Sequence, residues 1–174
     1  GYFPIAHEGG GNMDKTIVRK WFQEVLNTSA DKIFHNSMYD VCWLRSEGFT
    51  IKGRIIDTMI GSAIVDENQL RYDLNSCSRR YLGQSKDEAA LYAAAKDWGV
   101  DAKAEMYKLP AMYVGSYAEK DAELTYKLWQ ELKKEIEHQD IHDIWKLETE
   151  LFPSLVNMRF LGVRVNQEQA AIEK

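Results

Sequence analysis

An amphipathic run that begins just after Pro110 and continues over residues 112–138 constrains this chain more than any other feature. Val114, Leu124, Leu128, Leu132 and Ile136 recur along one side at helical spacing. A stripe of that kind is stable only when other elements cover it. The segments upstream must therefore pack onto one long helix. A last helix is expected over residues 141–161 despite Pro153, with a short strand at 163–165 after Gly162.

The first half alternates. Residues 2–7 read as a short strand running into the turn cluster Gly9-Gly10-Gly11-Asn12. Asp14 is placed to cap a helix ending near Asn27, with Ile17, Val18, Trp21, Phe22, Val25 and Leu26 as its apolar stripe. A short apolar run at 32–35 precedes a helix over 37–47, and 54–58 reads as a strand leading into a helix over 58–65. Asp73 is placed to cap a helix to Leu82, stopped by Gly83, and the Ala-rich stretch 86–98 is helical by propensity, with Gly99 as its stop. Alternation followed by helices only points to an α/β unit with a helix-rich second half.

At 174 residues the chain sets a prior of one domain, two at most. Its 22 basic against 27 acidic residues give a net charge of −5, which advertises no nucleic-acid partner. An acidic enzyme that holds cations between carboxylates can nevertheless bind DNA. Cys42 and Cys77 lie far apart, so free thiols in a reducing cytoplasm are expected rather than a disulfide framework. No run approaches about 18 apolar residues, so no membrane span is expected. The start, Gly-Tyr-Phe-Pro-Ile-Ala-His, has no signal-peptide pattern and reads as the start of an excised piece.

Few motifs carry chemistry on their own. His138 and His142 have zinc-helix spacing, but Gln139 stands where that motif needs its Glu, and a solvated helix junction is the better account. The glycine cluster lacks the Lys-Ser/Thr of a phosphate loop. No nucleophile elbow is present. Asn36 and Asp40 follow an apolar strand at the place where open α/β sheets build sites, though taken alone a helix cap and a first-turn acid are the better account. Tyr117 and Asp121 share one helix face at i, i+4, though they read as readily as a core ring and a surface charge. For Asp57, capping the helix that starts at Thr58 is the preferred role.

Order and spacing add more. Asn-x-x-Tyr-Asp at 36–40, Asp-Thr-Met at 57–59, Asp-Leu-Asn-Ser at 73–76 and Tyr-Ala-x-x-Asp-Ala at 117–122 together resemble the 3′→5′ proofreading exonuclease domain of family A DNA polymerases. The tail, with Glu148, Pro153 and Phe160-Leu161-Gly162-Val163-Arg164-Val165-Asn166, resembles the passage from that domain into the polymerase domain. The short connections resemble a bacteriophage version. The resemblance implies an RNase H-like fold of the DEDD class in its Tyr variant, with residues 1–140 as a partial exonuclease domain and 141–174 leading toward a polymerase domain. It implies hydrolysis of single-stranded DNA from the 3′ end with two cations, Mg²⁺ or Mn²⁺. Asp40 would hold the metal nearer the leaving group, Asp121 the metal that activates water, and Tyr117 would orient that water. Asn36 and Tyr39 would contact the terminal nucleotides.

One departure matters. The family's first motif, Asp-x-Glu on its first strand, has no counterpart before residue 36. The resemblance therefore implies an N-terminally truncated domain with half its carboxylate cage missing, weak cation binding and impaired hydrolysis. It also implies strand edges that invite self-association. The alternative is a non-catalytic nuclease-like scaffold that binds DNA or a partner protein.

Overall fold

The structure, a computed structural model, describes residues 1–172; the last two residues of the expected 141–174 unit lie outside the described residues. Helix α1 (Lys15–Leu26) begins where Asp14 Oδ1 accepts a hydrogen bond from the Ile17 amide at 2.9 Å. Strand β1 (Lys32–Phe34), helix α2 (Ser37–Ser46), strand β2 (Ile55–Asp57) and helix α3 (Thr58–Val65) follow. β1 and β2 pair in parallel, with Phe34 opposite Asp57. Parallel neighbours require a crossover, and α2 supplies it. Both strands thus release their helices from the same edge of the sheet.

Helix α4 (Leu74–Leu82) is capped by Asp73, which accepts from the Ser76 amide at 3.1 Å and the Ser76 hydroxyl at 2.7 Å, and it stops at Gly83 in the left-handed region. Helix α5 (Ala89–Trp98) begins three residues later than propensity suggests. Residues 86–88 stay outside it, and Lys86 is thereby free to point elsewhere. Helix α6 (Ala111–His138) is the spine. Its stripe, Leu124, Leu128, Leu132 and Ile136, is sealed by Val65, Leu74 and Cys77 of α3 and α4. Its start packs through Val114 on Leu91 and Ala95 of α5.

Helix α7 (His142–Leu161) runs through Pro153 and places Phe152 and Val156 against Val41 of α2, beside Ile55 and Ile60. The stacked rings of Trp129 and Trp145, 5.1 Å apart, join α6 to α7. Gly61 lies in this junction, where an added Cβ would come within 3.4 Å of Leu132 and Trp145. His138 closes α6 and His142 opens α7, so the two imidazoles do not share a helix. A short α8 (Gln167–Ile172) ends the described chain.

Two expected strands do not form. Residues 2–7 form no strand, because their polar groups go to irregular partners. His7 Nδ1 donates to the Leu109 carbonyl at 2.7 Å, and the Glu8 amide donates to the Tyr107 carbonyl at 2.9 Å. The glycine cluster explains the fit: a Cβ on Gly9 would lie 2.4 Å from Pro110 N, so only glycine allows this loop to dock on the start of α6. Residues 163–165 also lack strand pairing among the described residues, and Val163 and Val165 face solvent. The observed architecture is thus a helix-rich α/β unit around a two-stranded parallel sheet.

Leu128 is fully buried at the centre of the α6 interface. Leu128→Ala is expected to cost about 2–5 kcal/mol of stability, read by urea unfolding. A loss below about 1 kcal/mol would show that α6 is not the spine.

Candidate active site

The site starts from a structural anion. Asp57 is only 5% exposed, yet its carboxylate meets four donors. Oδ1 accepts from the Asn36 amide at 3.0 Å and the Met59 amide at 2.8 Å; Oδ2 accepts from the Ser37 amide at 2.7 Å and the Ser37 hydroxyl at 2.6 Å. Asp57 caps α3 as expected, and it serves the start of α2 as well. Asn36 therefore does not cap α2 with its side chain. Its backbone takes a left-handed turn, φ 63°, which delivers two amides to Asp57.

Above this edge lies an open cleft of about 960 Å³. Asn36, Tyr39, Asp40 and Asp121 all line it, so residues of two separated motifs, 36–40 and 117–122, meet at one place. Tyr117 does not line it and stands one helical turn before Asp121 on α6. Tyr39 is exposed and pairs edge-on with Trp43, ring centres 6.3 Å apart.

Four carboxylates border the cleft, Asp31, Asp40, Asp73 and Asp121, against one ammonium, Lys86. Two of them are already committed. Asp31 is held by the Arg54 guanidinium at 2.7 and 3.1 Å, which keeps its carboxyl below the ordinary value. Asp73 is occupied by Ser76, with the same result. Asp40 behaves in the opposite way: burial pushes its carboxyl up, and the Asp57 charge adds to the effect. Asp121 Oδ1 is buried without an aligned hydrogen-bond donor and rests 2.7 Å from the Lys86 ammonium.

Sequence reasoning did not find Lys86, Lys103 or His35. Lys103 Nζ donates to the Tyr117 hydroxyl at 3.0 Å and to Glu88 Oε1 at 2.6 Å. Burial works against its charge, but these two partners outweigh it and hold the ammonium above the ordinary lysine range. His35 Nε2 donates to the Tyr72 carbonyl at 2.8 Å, while Nδ1 lies 2.9 Å from the Thr58 hydroxyl. Burial holds its imidazole down despite the Asp57 charge, so it is neutral at neutral pH. No local pattern marks these three residues; their partners are remote in sequence.

Among the described residues, no group of three or more His, Cys, Asp or Glu side chains is arranged to hold a metal. Asp40 and Asp121 are the carboxylates at this cleft that could offer oxygen donors to a hard cation. One is a carboxylate whose charge is disfavoured where it stands, and the other has a buried oxygen balanced only by an ammonium.

Comparison with known proteins gives the family. The profile of the polymerase A 3′-5′ exonuclease family matches residues 10–137. The chain belongs to this exonuclease family. A DNA-directed DNA polymerase of Pseudomonas phage M6 is 34% identical over 169 residues, 95% of this chain and 26% of that protein. DNA polymerase DpoZ of Acinetobacter phage SH-Ab 15497 is 33% identical over 156 residues, 86% of this chain and 25% of that protein. DNA polymerase I of Synechocystis sp. is 26% identical over 168 residues, 95% of this chain and 16% of that protein. The chain thus spans about a quarter of the length of its phage relatives. Among the described residues, no helix is long and apolar enough to cross a membrane.

Two stability predictions follow from the carboxylates. Asp57→Ala removes the acceptor for two helix starts and is expected to cost about 1–4 kcal/mol, twice the worth of one cap; chemical denaturation reads it, and an unchanged midpoint would contradict the double cap. Asp40→Asn is expected to raise Tm at neutral pH. With its folded value above its unfolded one, ionised Asp40 costs stability as pH rises through the folded value. Below the ordinary value of 3.8 that cost is absent, and the two proteins should melt together. No gain in Tm at neutral pH would count against the burial of an uncompensated charge at Asp40.

Proposed function

We propose that this chain is the greater part of a proofreading exonuclease domain, which in its parent polymerase hydrolyses the 3′ ends of single-stranded DNA. The observation that carries the reading is the convergence of Asn36, Tyr39, Asp40 and Asp121 on one cleft. Residues 1–140 would form an RNase H-like unit short of its first strands, and 141–174 would lead toward a polymerase domain. The relatives' greater length and the missing Asp-x-Glu motif support that division. The unpaired sheet edges also favour a second copy as a partner for the isolated chain.

Divalent cations of the Mg²⁺ or Mn²⁺ class, when bound, supply charge stabilisation at the scissile phosphate and acidity to the attacking water. The chain's own part is to hold and orient. Asp40 and Asp121 would offer hard oxygen donors from two helices, α2 held through Val41 and α6 through its leucine stripe. Tyr117 would orient the water only after its hydroxyl leaves Lys103 and turns into the cleft, which it does not line in this structure. Tyr39, exposed beside the cleft, gives a base a ring to stack on, and Asn36 offers its side-chain carboxamide to the terminal nucleotide. The cleft is too open to exclude water by itself, which suits a hydrolysis.

The test uses single-stranded DNA labelled at its 5′ end with Mg²⁺ or Mn²⁺. The 174-residue chain should hydrolyse it at or below detection. A polypeptide that includes the upstream Asp-x-Glu strand should shorten it from the 3′ end. In that longer protein Asp40→Ala or Asp121→Ala should lower the rate by about 10²–10³ or more, whereas Asp57→Asn should leave appreciable rate. Digestion that ignores both alanine changes would overturn the site. DNA binding without cleavage in the longer protein would favour the scaffold reading.

A further inference from the structure

Lys86 has no place in the roles above, yet it is the best-buried cation at the cleft, 11% exposed. It belongs to the short segment between α4 and α5, which is tied down on α4. The Lys86 amide donates to Asn75 Oδ1 at 3.3 Å, and the Gln84 amide donates to the Ser78 carbonyl at 3.3 Å. Its ammonium stands 5.2 Å from the centre of the Tyr117 ring and 2.7 Å from Asp121 Oδ1. A structural ion pair would be expected to saturate both partners with aligned hydrogen bonds. This pair does not: Asp121 Oδ1 has no aligned donor, and the Asp121 side chain keeps 30% of its surface open. Asp31, Asp40 and Asp73 border the same space. An ammonium held by charge rather than by directed bonds is easily exchanged for another cation.

We propose that Lys86 is a resident stand-in for a divalent cation: its ammonium holds the Asp121 carboxylate in place, and leaves it when Mg²⁺ or Mn²⁺ enters. Loading of Asp121 is then an exchange of one cation for another, with no covalent bond made or broken. The inference rests on the reading of Asp121 as a metal-holding residue. It adds a competitor that lowers the apparent cation affinity of the site beyond what a shortage of ligands does.

Two readouts test it on the 174-residue chain, neither of them activity. The first is Mn²⁺ binding by electron paramagnetic resonance of the free ion. Lys86→Met keeps the stem and removes the charge, so Mn²⁺ should bind roughly three- to tenfold tighter, the scale of a partly buried ion pair. Lys86→Arg should bind no tighter than the parent chain. Lys86→Gln gives the same comparison if the Met variant does not fold. The second is the ¹H–¹⁵N ammonium signal of Lys86, which should be visible without metal and vanish as Mg²⁺ saturates the site. A signal that persists at saturation, or Mn²⁺ affinity unchanged in Lys86→Met and Lys86→Gln, would overturn the exchange. Asp121→Asn separates the two levels. If it weakens Mn²⁺ binding while the Lys86 variants do not alter it, the metal-holding reading stands and the exchange fails. If it changes nothing, both fail.

Discussion

The Asp57 carboxylate is the interaction on which the rest of this unit depends. Parallel pairing puts Phe34 and Asp57 at the same level, so α2 and α3 begin side by side with their amide groups pointing at one spot. Helix starts leave such amides without partners inside the helix, and burying them unpaired is costly. One carboxylate with four donors answers for both starts. The same charge then acts on Asp40, one turn into α2, whose carboxyl it helps to push up. The anchor of the fold therefore adds to what burial does in making the neighbouring carboxylate harder to ionise.

Helix α6 carries the second half of the arrangement. Leu124, Leu128, Leu132 and Ile136 on one face form the core, while Asp121, Ala122, Thr125 and Tyr126 border the cleft. The 3.6-residue period lets one helix serve both, so that packing of the core fixes where Asp121 stands. Lysines from the segments flanking α5 then meet the polar side of this helix. Lys86 reaches Asp121, and Lys103 reaches Tyr117, with Glu88 sharing the Lys103 charge. Two of the groups proposed for catalysis, Asp121 and Tyr117, are thus already paired with cations of the chain itself.

These pairings carry a consistent electrostatic logic. Where a carboxylate is structural, as at Asp31, Asp57 and Asp73, directed hydrogen bonds satisfy it. Where it is proposed to be functional, directed bonds are fewer: burial outweighs the single backbone hydrogen bond of Asp40, and Asp121 Oδ1 meets an ammonium without an aligned donor. That difference separates the two sets of acids among residues of one chemical type.

Much of this was legible in the sequence, for a local reason. Caps at Asp14, Asp57 and Asp73 bond amides two or three residues away, and the stripe on α6 follows from periodicity alone. The ordered motifs at 36–40, 57–59, 73–76 and 117–122 were enough to point to the exonuclease family, because residue type and spacing are properties of the chain itself. Tertiary structure decided what depends on distant partners. It left residues 2–7 and 163–165 without strand pairing, because a strand exists only where a neighbour accepts its backbone. It gave Asp57 a second helix start across the sheet and turned Asn36 into a left-handed corner. It also chose Lys86 as the counter-ion of Asp121, a choice set by how α4, α5 and α6 pack and by no pattern near either residue.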